Sequence, residues 1–361
     1  MKFIKKMMRK RLTNRKNPKQ GFHFVLRTSY LLLAIIGLSS HDLYIKMETY
    51  FLQPNQENTF NLYNGTFEKS ENIITRDRII DASVVARGKR NVIDKMQWKD
   101  QDSTITKATF KTGEAGTYIV GVSTRARNIE LTAEKFNDYL KHDGVLDMLE
   151  QRTKEGLLDQ DAVESYQKSV KAIYQVGDVK TTDWSTKLGY PIEFVPLSNP
   201  YEKYSGEKLA VKLLRNGMPL VNHLLYADYI KSFQGHSHSQ EHSHGEQTHS
   251  HDSPEDGGHT HTSGQQLRTD EDGKVFVNLP EDGIYYLRTI YMKEVTDDDE
   301  LTHQSNWATL TFEVSHKHGE DTHMHNDDAH DSEEGFSPWM FMLGSVLMIT
   351  LLFFFFRKKN S

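Results

Sequence analysis

The sequence predicts a mainly β protein built from two antiparallel β-sandwich domains, a helical insertion and one C-terminal transmembrane helix. Short segments rich in Val, Ile, Thr, Tyr and Phe recur between Gly, Asp and Asn turns, as strands do. One stretch between them changes to helical periodicity. A 21-residue apolar run without a charge lies near the C-terminus. Residues 41–335, between the terminal segments, are enough for two domains.

Residues 1–40 have the order of a secretory signal peptide: a basic segment, the apolar run Tyr30–Leu38 and two serines. Cleavage after Ser39 places Gly37 at the third position back, whereas cleavage after Ser40 places Leu38 there, which fits less well. Both sites stay open. An uncleaved anchor is disfavoured, because nine residues cannot span about 30 Å of hydrocarbon.

The apolar run Phe336–Phe356 is long enough for one transmembrane helix. Trp339 suits the outer interface, and the basic residues at 357–359 favour the cytoplasmic side. We therefore expect a single-pass protein of the cell membrane. The bulk of the chain would lie outside the cytoplasm, in the periplasm of a Gram-negative cell, with residues 357–361 as a cytoplasmic tail.

Charge and cysteine content restrict the partners. The chain has 44 basic and 50 acidic side chains. Without the terminal segments the basic residues fall to 31 and all acids remain, which leaves the ectodomain near −19. This balance argues against nucleic acid and favours cations. With no cysteine, disulfides and thiolate metal sites are excluded, so a metal needs His, carboxylate, amide or backbone ligands.

Residues 41–189 are predicted to form the first sandwich, with a helical insertion at 130–176. Glycines separate its candidate strands. The strands are His41–Tyr50, Thr59–Tyr63, Ile79–Ala86, Thr104–Phe110 and Thr117–Ser123, and the helices are Leu131–Lys141, Gly144–Glu155 and Asp159–Val176. The third helix depends on the helical spacing of Val163, Tyr166, Val170 and Ile173, with Asp161 and Glu164 as a capping box or Asp159 as the cap.

Residues 190–315 are predicted to form the second sandwich. Turn signals at Asn216-Gly217, Asp272-Gly273 and Asp282-Gly283 separate its strands. The strands are Ala210–Leu214, Val221–Tyr229, Lys274–Leu279, Ile284–Lys293 and Ala308–Val314. The order of strands and Gly turns resembles prealbumin-like and carboxypeptidase-regulatory-like sandwich repeats.

Two histidine-rich segments carry the functional hypothesis. The first tract, in a loop at 231–265 between two predicted strands, holds four His-x-His pairs among small and polar residues. The second tract, in a linker at 316–335, mixes histidines with acids. Neutral imidazoles suit Ni, Co, Zn and Cu(II), and three or four complete a site. The predicted ligands are His236, His238, His242, His244, His249, His251, His259, His261, His316, His318, His323 and His325.

His41 is a further candidate ligand. If the signal peptidase cuts directly before it, the new amine and its imidazole chelate one metal together. The alternative is a histidine at the start of an edge strand. His223, on an apolar strand, is interpreted as a packed residue, His142 as a surface residue at a helix break, and His303 as part of a solvated acidic loop.

Five stretches together resemble one bacterial family, the domain-of-unknown-function family 4198. They are HDLYIK, LYNGTFEKSENIITRDRI, FNDYLKHDGVLDMLEQR, YQKSVKAIYQVGD and HQSNWATLTFEV, which lie between His41 and Val314. The resemblance implies a periplasmic protein connected with cobalt or nickel uptake. His41 and Asp42 match the family's start, whereas the first histidine tract and the membrane segment look like additions.

The leading hypothesis is a membrane-anchored extracytoplasmic protein that binds divalent transition metals through its histidine tracts, for uptake, delivery to a metal permease, or buffering. The alternative is a two-sandwich surface module that binds protein or glycan, with the histidines incidental. No phosphate loop, zincin motif or nucleophile elbow points to an enzyme.

Overall fold

The computed structural model describes residues 41–231, 263–298 and 300–316. The predicted signal peptide, almost all of both histidine tracts and the predicted membrane helix lie outside these residues. Within the described ranges, no helix is long and apolar enough to cross a membrane.

The described residues form eighteen strands and two α-helices. The strands are β1 (Asp42–Lys46), β2 (Phe51–Leu52), β3 (Glu57–Gly65), β4 (Ile79–Ala86), β5 (Lys89–Val92), β6 (Trp98–Gln101), β7 (Ile105–Lys111), β8 (Gly116–Thr124), β9 (Arg127–Leu131), β10 (Ala162–Val176), β11 (Ile192–Pro196), β12 (Lys208–Arg215), β13 (Met218–Pro219), β14 (Leu224–Lys231), β15 (Gln265–Arg268), β16 (Lys274–Asn278), β17 (Gly283–Glu294) and β18 (His303–Val314). The helices are α1 (Ala133–His142) and α2 (Leu146–Glu155).

These strands make three sheets. The first has four strands in the order β1-β3-β7-β6. The large sheet has ten strands, in the order β15-β14-β17-β18-β10-β8-β4-β5 with β2 and β9 also on β10. The last has four strands, with β12 paired to β11, β13 and β16.

The two small sheets pack on opposite faces of the large one. Thr309 and Thr311 of β18 donate hydrogen bonds of 2.8 Å to backbone carbonyls of β1. Lys171 of β10 donates to the carbonyl of Phe194 in β11 at 3.0 Å. Ala172, the next residue, lies beside Thr311 in the parallel pairing. Because successive side chains of a strand point to opposite faces, Lys171 and Thr311 face different small sheets.

One hydrophobic cluster runs through all three sheets. It includes Phe60 of the first sheet, Val120 and Leu310 of the large sheet, and Leu213 of the last, each fully buried. A second cluster, with Phe136, Leu140 and Trp307, lies under the helices. The mainly β, sandwich-like class that the sequence predicted is confirmed, as are the two helices.

The arrangement differs from two separate antiparallel sandwiches. The large sheet takes strands from both sides of the boundary predicted between residues 189 and 190, and all described residues belong to one compact unit. The connection is the pairing of β10 with β18, which is parallel. Turn signals detect local hairpins, but they carry no information on pairing between distant strands.

The predicted third helix is wrong, because Ala162–Val176 is the long central strand β10. It pairs with β18 and β2 on one edge and with β8 and β9 on the other. From residue 168 onward it is buried on both faces, so its apolar residues need not alternate. The spacing of Val163, Tyr166, Val170 and Ile173 imitates a helix by coincidence, and all four residues are of types that favour strands. The helical insertion is therefore confined to Ala133–Glu155.

Asp161 caps a helix, although not the one that we expected. Its Oδ1 accepts a hydrogen bond of 2.8 Å from the backbone N–H of Ala133, in the first turn of α1. An N–H in the first turn has no partner within its helix, so a distant carboxylate can supply one. The chain after α2 therefore returns to the start of α1.

Local signals were accurate where a turn dominates. Ile79–Ala86 is a strand with the predicted bounds. Asn216 and Gly217 join β12 to β13, and both have positive φ, 48° and 79°. That combination defines the type I′ hairpin turn, which Asn-Gly favours.

Candidate functional site

A group of buried charged and polar side chains lies where β1 meets the helices over the large sheet. We call it the junction cluster. Its members are Asp42, Tyr44, Tyr139, Asp143, Glu164, Lys168, Arg288, Ser305 and Trp307, all at most 8% exposed. They come from β1, α1, the residue after α1, β10, β17 and β18.

An ion pair between Asp42 and Arg288 forms one half of the junction cluster. Asp42 Oδ2 lies 2.5 Å from Arg288 Nε, and both side chains are at most 3% exposed. The Tyr44 hydroxyl donates to the same carboxylate at 3.0 Å, and Arg288 donates to the carbonyl of Asp143 at 3.0 Å. Burial alone would lower the pKa of the guanidinium, but Asp42 and neighbouring groups raise it above its ordinary value.

A buried carboxyl forms the other half. Glu164 Oε1 accepts hydrogen bonds from the Ser305 hydroxyl and, at 3.2 Å, from the Tyr139 hydroxyl. The Trp307 indole donates to Ser305 at 2.9 Å, which holds that hydroxyl in place. Burial raises the pKa of Glu164 to about 7, against the lowering effect of these donors. This carboxyl therefore changes charge near neutral pH.

Lys168 lies on β10, the strand that carries Glu164, and its ammonium is buried too. It donates to the carbonyl of His41 and, at 3.3 Å, to Asn64 Oδ1. It also lies 4.9 Å from the centre of the Trp307 ring. Burial lowers its pKa to about 8, opposed mainly by Asp42. The junction cluster thus combines an acid and a base that titrate within the physiological range, which is typical of functional sites.

Sequence reasoning missed the junction cluster, although most of its residues lie in the stretches that carry the family resemblance. HDLYIK supplies Asp42 and Tyr44, FNDYLKHDG supplies Tyr139 and Asp143, and HQSNW supplies Ser305 and Trp307. A partial signal was present in HDLYIK, where Asp42 stands beside the apolar residues of a predicted strand. Glu164 and the central partner, Arg288, stand outside all of them.

His41 lies at the rim of this cluster. Its Nε2 is 3.1 Å from Glu71 Oε2, and its side chain is 13% exposed. The described structure therefore places a carboxylate beside the imidazole that we considered as a ligand.

Three other histidines occupy different settings. His142 is partly exposed, as expected, with Nδ1 3.1 Å from Asp143 Oδ1. The interpretation of His303 as part of a solvated loop is wrong: it begins β18, is 3% exposed and packs on Phe136. Pairing with β10 draws it inside. His223 is largely buried, and its Nε2 has no hydrogen-bond partner among the described residues.

Both histidine tracts leave the large sheet at neighbouring strand ends. Lys231, the last residue of β14, pairs with Gly283, and Gly283 pairs with Val314 near the end of β18. With neighbouring strands about 4.8 Å apart, Lys231 and Val314 lie about 10 Å apart. His316, the first tract histidine that the structure describes, has Nδ1 2.5 Å from Asp282 Oδ2. We call this place the histidine end.

The other predicted tract ligands, from His236 to His261 and from His318 to His325, lie outside the described residues. Within the described ranges, no three His, Asp or Glu side chains are grouped as a metal would require.

Comparison with known proteins identifies the family. Residues 38–293 match the family described as a domain of unknown function, DUF4198, and the chain belongs to it. A comparison with curated proteins finds no match.

Solved structures give only remote similarity. The adhesin InvE of Yersinia pseudotuberculosis shares 12% identity at a TM-score of 0.19, over 76% of this chain and 58% of the adhesin. The D0-D1 domain of intimin shares 10% identity at a TM-score of 0.17, over 75% of this chain and 97% of that one. A putative membrane anchored protein from Corynebacterium diphtheriae shares 14% identity at a TM-score of 0.19, over 76% of this chain and 59% of that one. Such TM-scores support no conclusion about fold or function.

Replacing Glu164 tests the proton-linked half of the junction cluster. The native carboxyl, with a pKa of about 7, holds a proton that the unfolded chain releases near 4.5, so the parent loses stability as pH rises through this interval. In Glu164→Gln that loss is absent. We expect the unfolding free energy of the variant, relative to the parent, to increase by about 2 kcal/mol between pH 5 and 7.5.

Urea unfolding at several pH values measures the difference. Glu134→Gln, which removes an exposed carboxylate on α1, is the control and should change stability by less than about 0.5 kcal/mol. A constant difference between Glu164→Gln and parent across this interval would contradict the assignment.

Proposed function

We propose that this chain is a membrane-anchored extracytoplasmic protein that binds divalent transition metals through its two histidine tracts. The observation that carries the proposal is the histidine end. Tracts far apart in sequence are attached to strand ends about 10 Å apart. Imidazoles from both can therefore reach one ion, which completes a site that neither His-x-His pair completes alone.

Asp282 supports this role for the second tract. A carboxylate beside Nδ1 orients an imidazole so that Nε2 is presented as the ligand nitrogen, which is a common arrangement at metal sites. His316 and Asp282 have the necessary short contact. The negative ectodomain favours cations near this surface.

The position of the first tract suits an exchangeable site. It joins β14 to the edge strand β15, and added length in such a connection costs little, about 0.6 kcal/mol per doubling. Incomplete ligand pairs exchange metals readily, which favours delivery to a permease or buffering over permanent storage. The metal would be Ni, Co, Zn or Cu(II).

His41 would add a separate ligand. If the mature chain begins there, the amine and imidazole chelate together, with the Glu71 carboxylate 3.1 Å from Nε2. It directly precedes β1, a strand of the first small sheet, whereas the histidine end belongs to the large sheet. We therefore propose it as an independent site.

Metal binding can be measured on the full chain and on two matched variants. In the first variant, the eight histidines from His236 to His261 are replaced by Gln. In the second, His316, His318, His323 and His325 are replaced by Gln. If the tracts share ions, each variant loses Ni(II) or Zn(II), and the combined variant loses fewer ions than the two losses added together. Binding should weaken as pH falls through about 6.5, because protonated imidazole cannot bind metal.

Equilibrium dialysis with metal analysis gives the stoichiometry. Unchanged stoichiometry in the combined variant would remove the basis of the proposal. Strictly additive losses would show that each tract binds by itself and would reject the shared site.

The proposed location has its own test. The run Phe336–Phe356, followed by three basic residues, would anchor the chain with its C-terminus in the cytoplasm. A phosphatase reporter that is active only outside the cytoplasm should be inactive when fused after Ser361 and active when it replaces the chain from residue 336. Activity of the Ser361 fusion would contradict this topology.

The alternative, a surface module that binds protein or glycan, has one supporting feature. A cavity of about 560 Å³ lies beside β4, β5 and the start of β6, and Val92 at its rim is 77% exposed. Exposed apolar side chains beside a cavity are common at binding surfaces. This surface contains no histidine, so the tract variants leave it unchanged and the two functions can be separated.

A further inference from the structure

A small cavity lies near the start of β14 and the end of β17, whereas the histidine end lies at the end of β14 and the start of β17. It has a volume of about 180 Å³ and lies between the start of α2 and adjoining residues of β17, with His223 and Leu224 at its edge. Its lining includes one imidazole and two thioethers, from His223, Met148 and Met292.

The imidazole has the state that a metal ligand needs. His223 Nε2 is buried and lacks a hydrogen-bond partner among the described residues. Burial lowers the pKa of the ring to about 4; Asp147 opposes this and Arg268 adds to it. The ring is therefore neutral at physiological pH. The backbone of Ile290 also acts on the ring, and since Nε2 lacks a partner we assign that interaction to Nδ1. This arrangement leaves the lone pair on Nε2.

The two methionines line the same cavity from different elements. Met148 of α2 is 4% exposed and Met292 of β17 packs against the same hydrophobic cluster. The acid in the lining, Asp147, is already paired with both terminal nitrogens of Arg268, at 2.7 and 2.9 Å. Tyr291 also lines the cavity, with its ring 4.0 Å from the guanidinium of Arg215. The soft or borderline donors of the lining are one imidazole and two thioether sulfurs.

Thioether sulfur selects soft cations, above all Cu(I), whereas divalent nickel, cobalt and zinc prefer harder donors. We propose that this cavity binds one Cu(I) ion through His223 Nε2 and the sulfurs of Met148 and Met292. This site is independent of the histidine tracts and goes beyond the function proposed for them, because it takes a monovalent ion and draws no ligand from either tract.

Ag(I), an air-stable ion with the same preference for sulfur, is the probe. The full chain, with ¹³C-labelled methionine methyl groups, receives one equivalent of Ag(I) at pH 5.5, where tract histidines of ordinary pKa are protonated. The methyl signals of Met148 and Met292 should both shift. Met148→Leu and Met292→Leu, which nearly conserve volume, assign the two signals and should each weaken Ag(I) binding at least tenfold.

Two further methionines serve as controls. Met47, 2% exposed in the main core, should keep its signal and reports that each variant is folded. Met324 lies within the second tract and reports binding there. In His223→Phe, which retains a planar ring, both shifts should be lost at one equivalent of Ag(I).

Shifts of both cavity methionines that disappear in His223→Phe support the site. A shift of neither, of one alone, or of Met324 alone overturns it. Shifts that persist in His223→Phe overturn it as well, because the imidazole is then no ligand.

Discussion

The ion pair between Asp42 and Arg288 is the contact on which the arrangement of this fold depends. It joins β1 of the first small sheet to β17 of the large sheet, and through the Asp143 carbonyl it reaches the break between the helices. Removing two charges from water costs several kcal/mol per ion, so such a pair persists only where further hydrogen bonds complete it. Tyr44 and the Asp143 carbonyl provide them. The first small sheet, the large sheet and the helices are thereby fixed in one relative position.

The same junction explains why Glu164 and Lys168 have unusual proton affinities. Each is buried because the first sheet and the helices meet above β10, and each is placed beside groups that the ion pair holds. The histidine end lies at Gly283, five residues along β17 from Arg288, at the start of that strand. The fold thus separates a buried, proton-sensitive region from the surface where the tracts attach. The metal exchange that we propose at this surface would therefore leave the buried charges covered.

Local features of the fold were predictable from the sequence, whereas distant pairings were not. Asn216-Gly217 specifies its hairpin by backbone conformation alone, and the two helices follow from periodicity. Strand β10 was misread because burial on both faces removes the alternation that identifies a strand. Asp42 was noted beside His41, but its partner Arg288 lies in a distant strand, inside an apolar segment without any motif. The site prediction therefore reached the histidine tracts and missed the buried cluster.

A double-mutant cycle on Asp42 and Arg288 measures the central interaction most directly. Asp42→Asn and Arg288→Met each leave one buried charge without its partner, and each should lower the unfolding free energy by about 3–5 kcal/mol. The double variant removes both charges and should cost clearly less than the sum of the two. Asp147→Asn with Arg268→Met is the exposed control, for which we expect a coupling of about 0–1 kcal/mol. Additive losses at Asp42 and Arg288 would contradict the account, because the ion pair would then not hold the layers together.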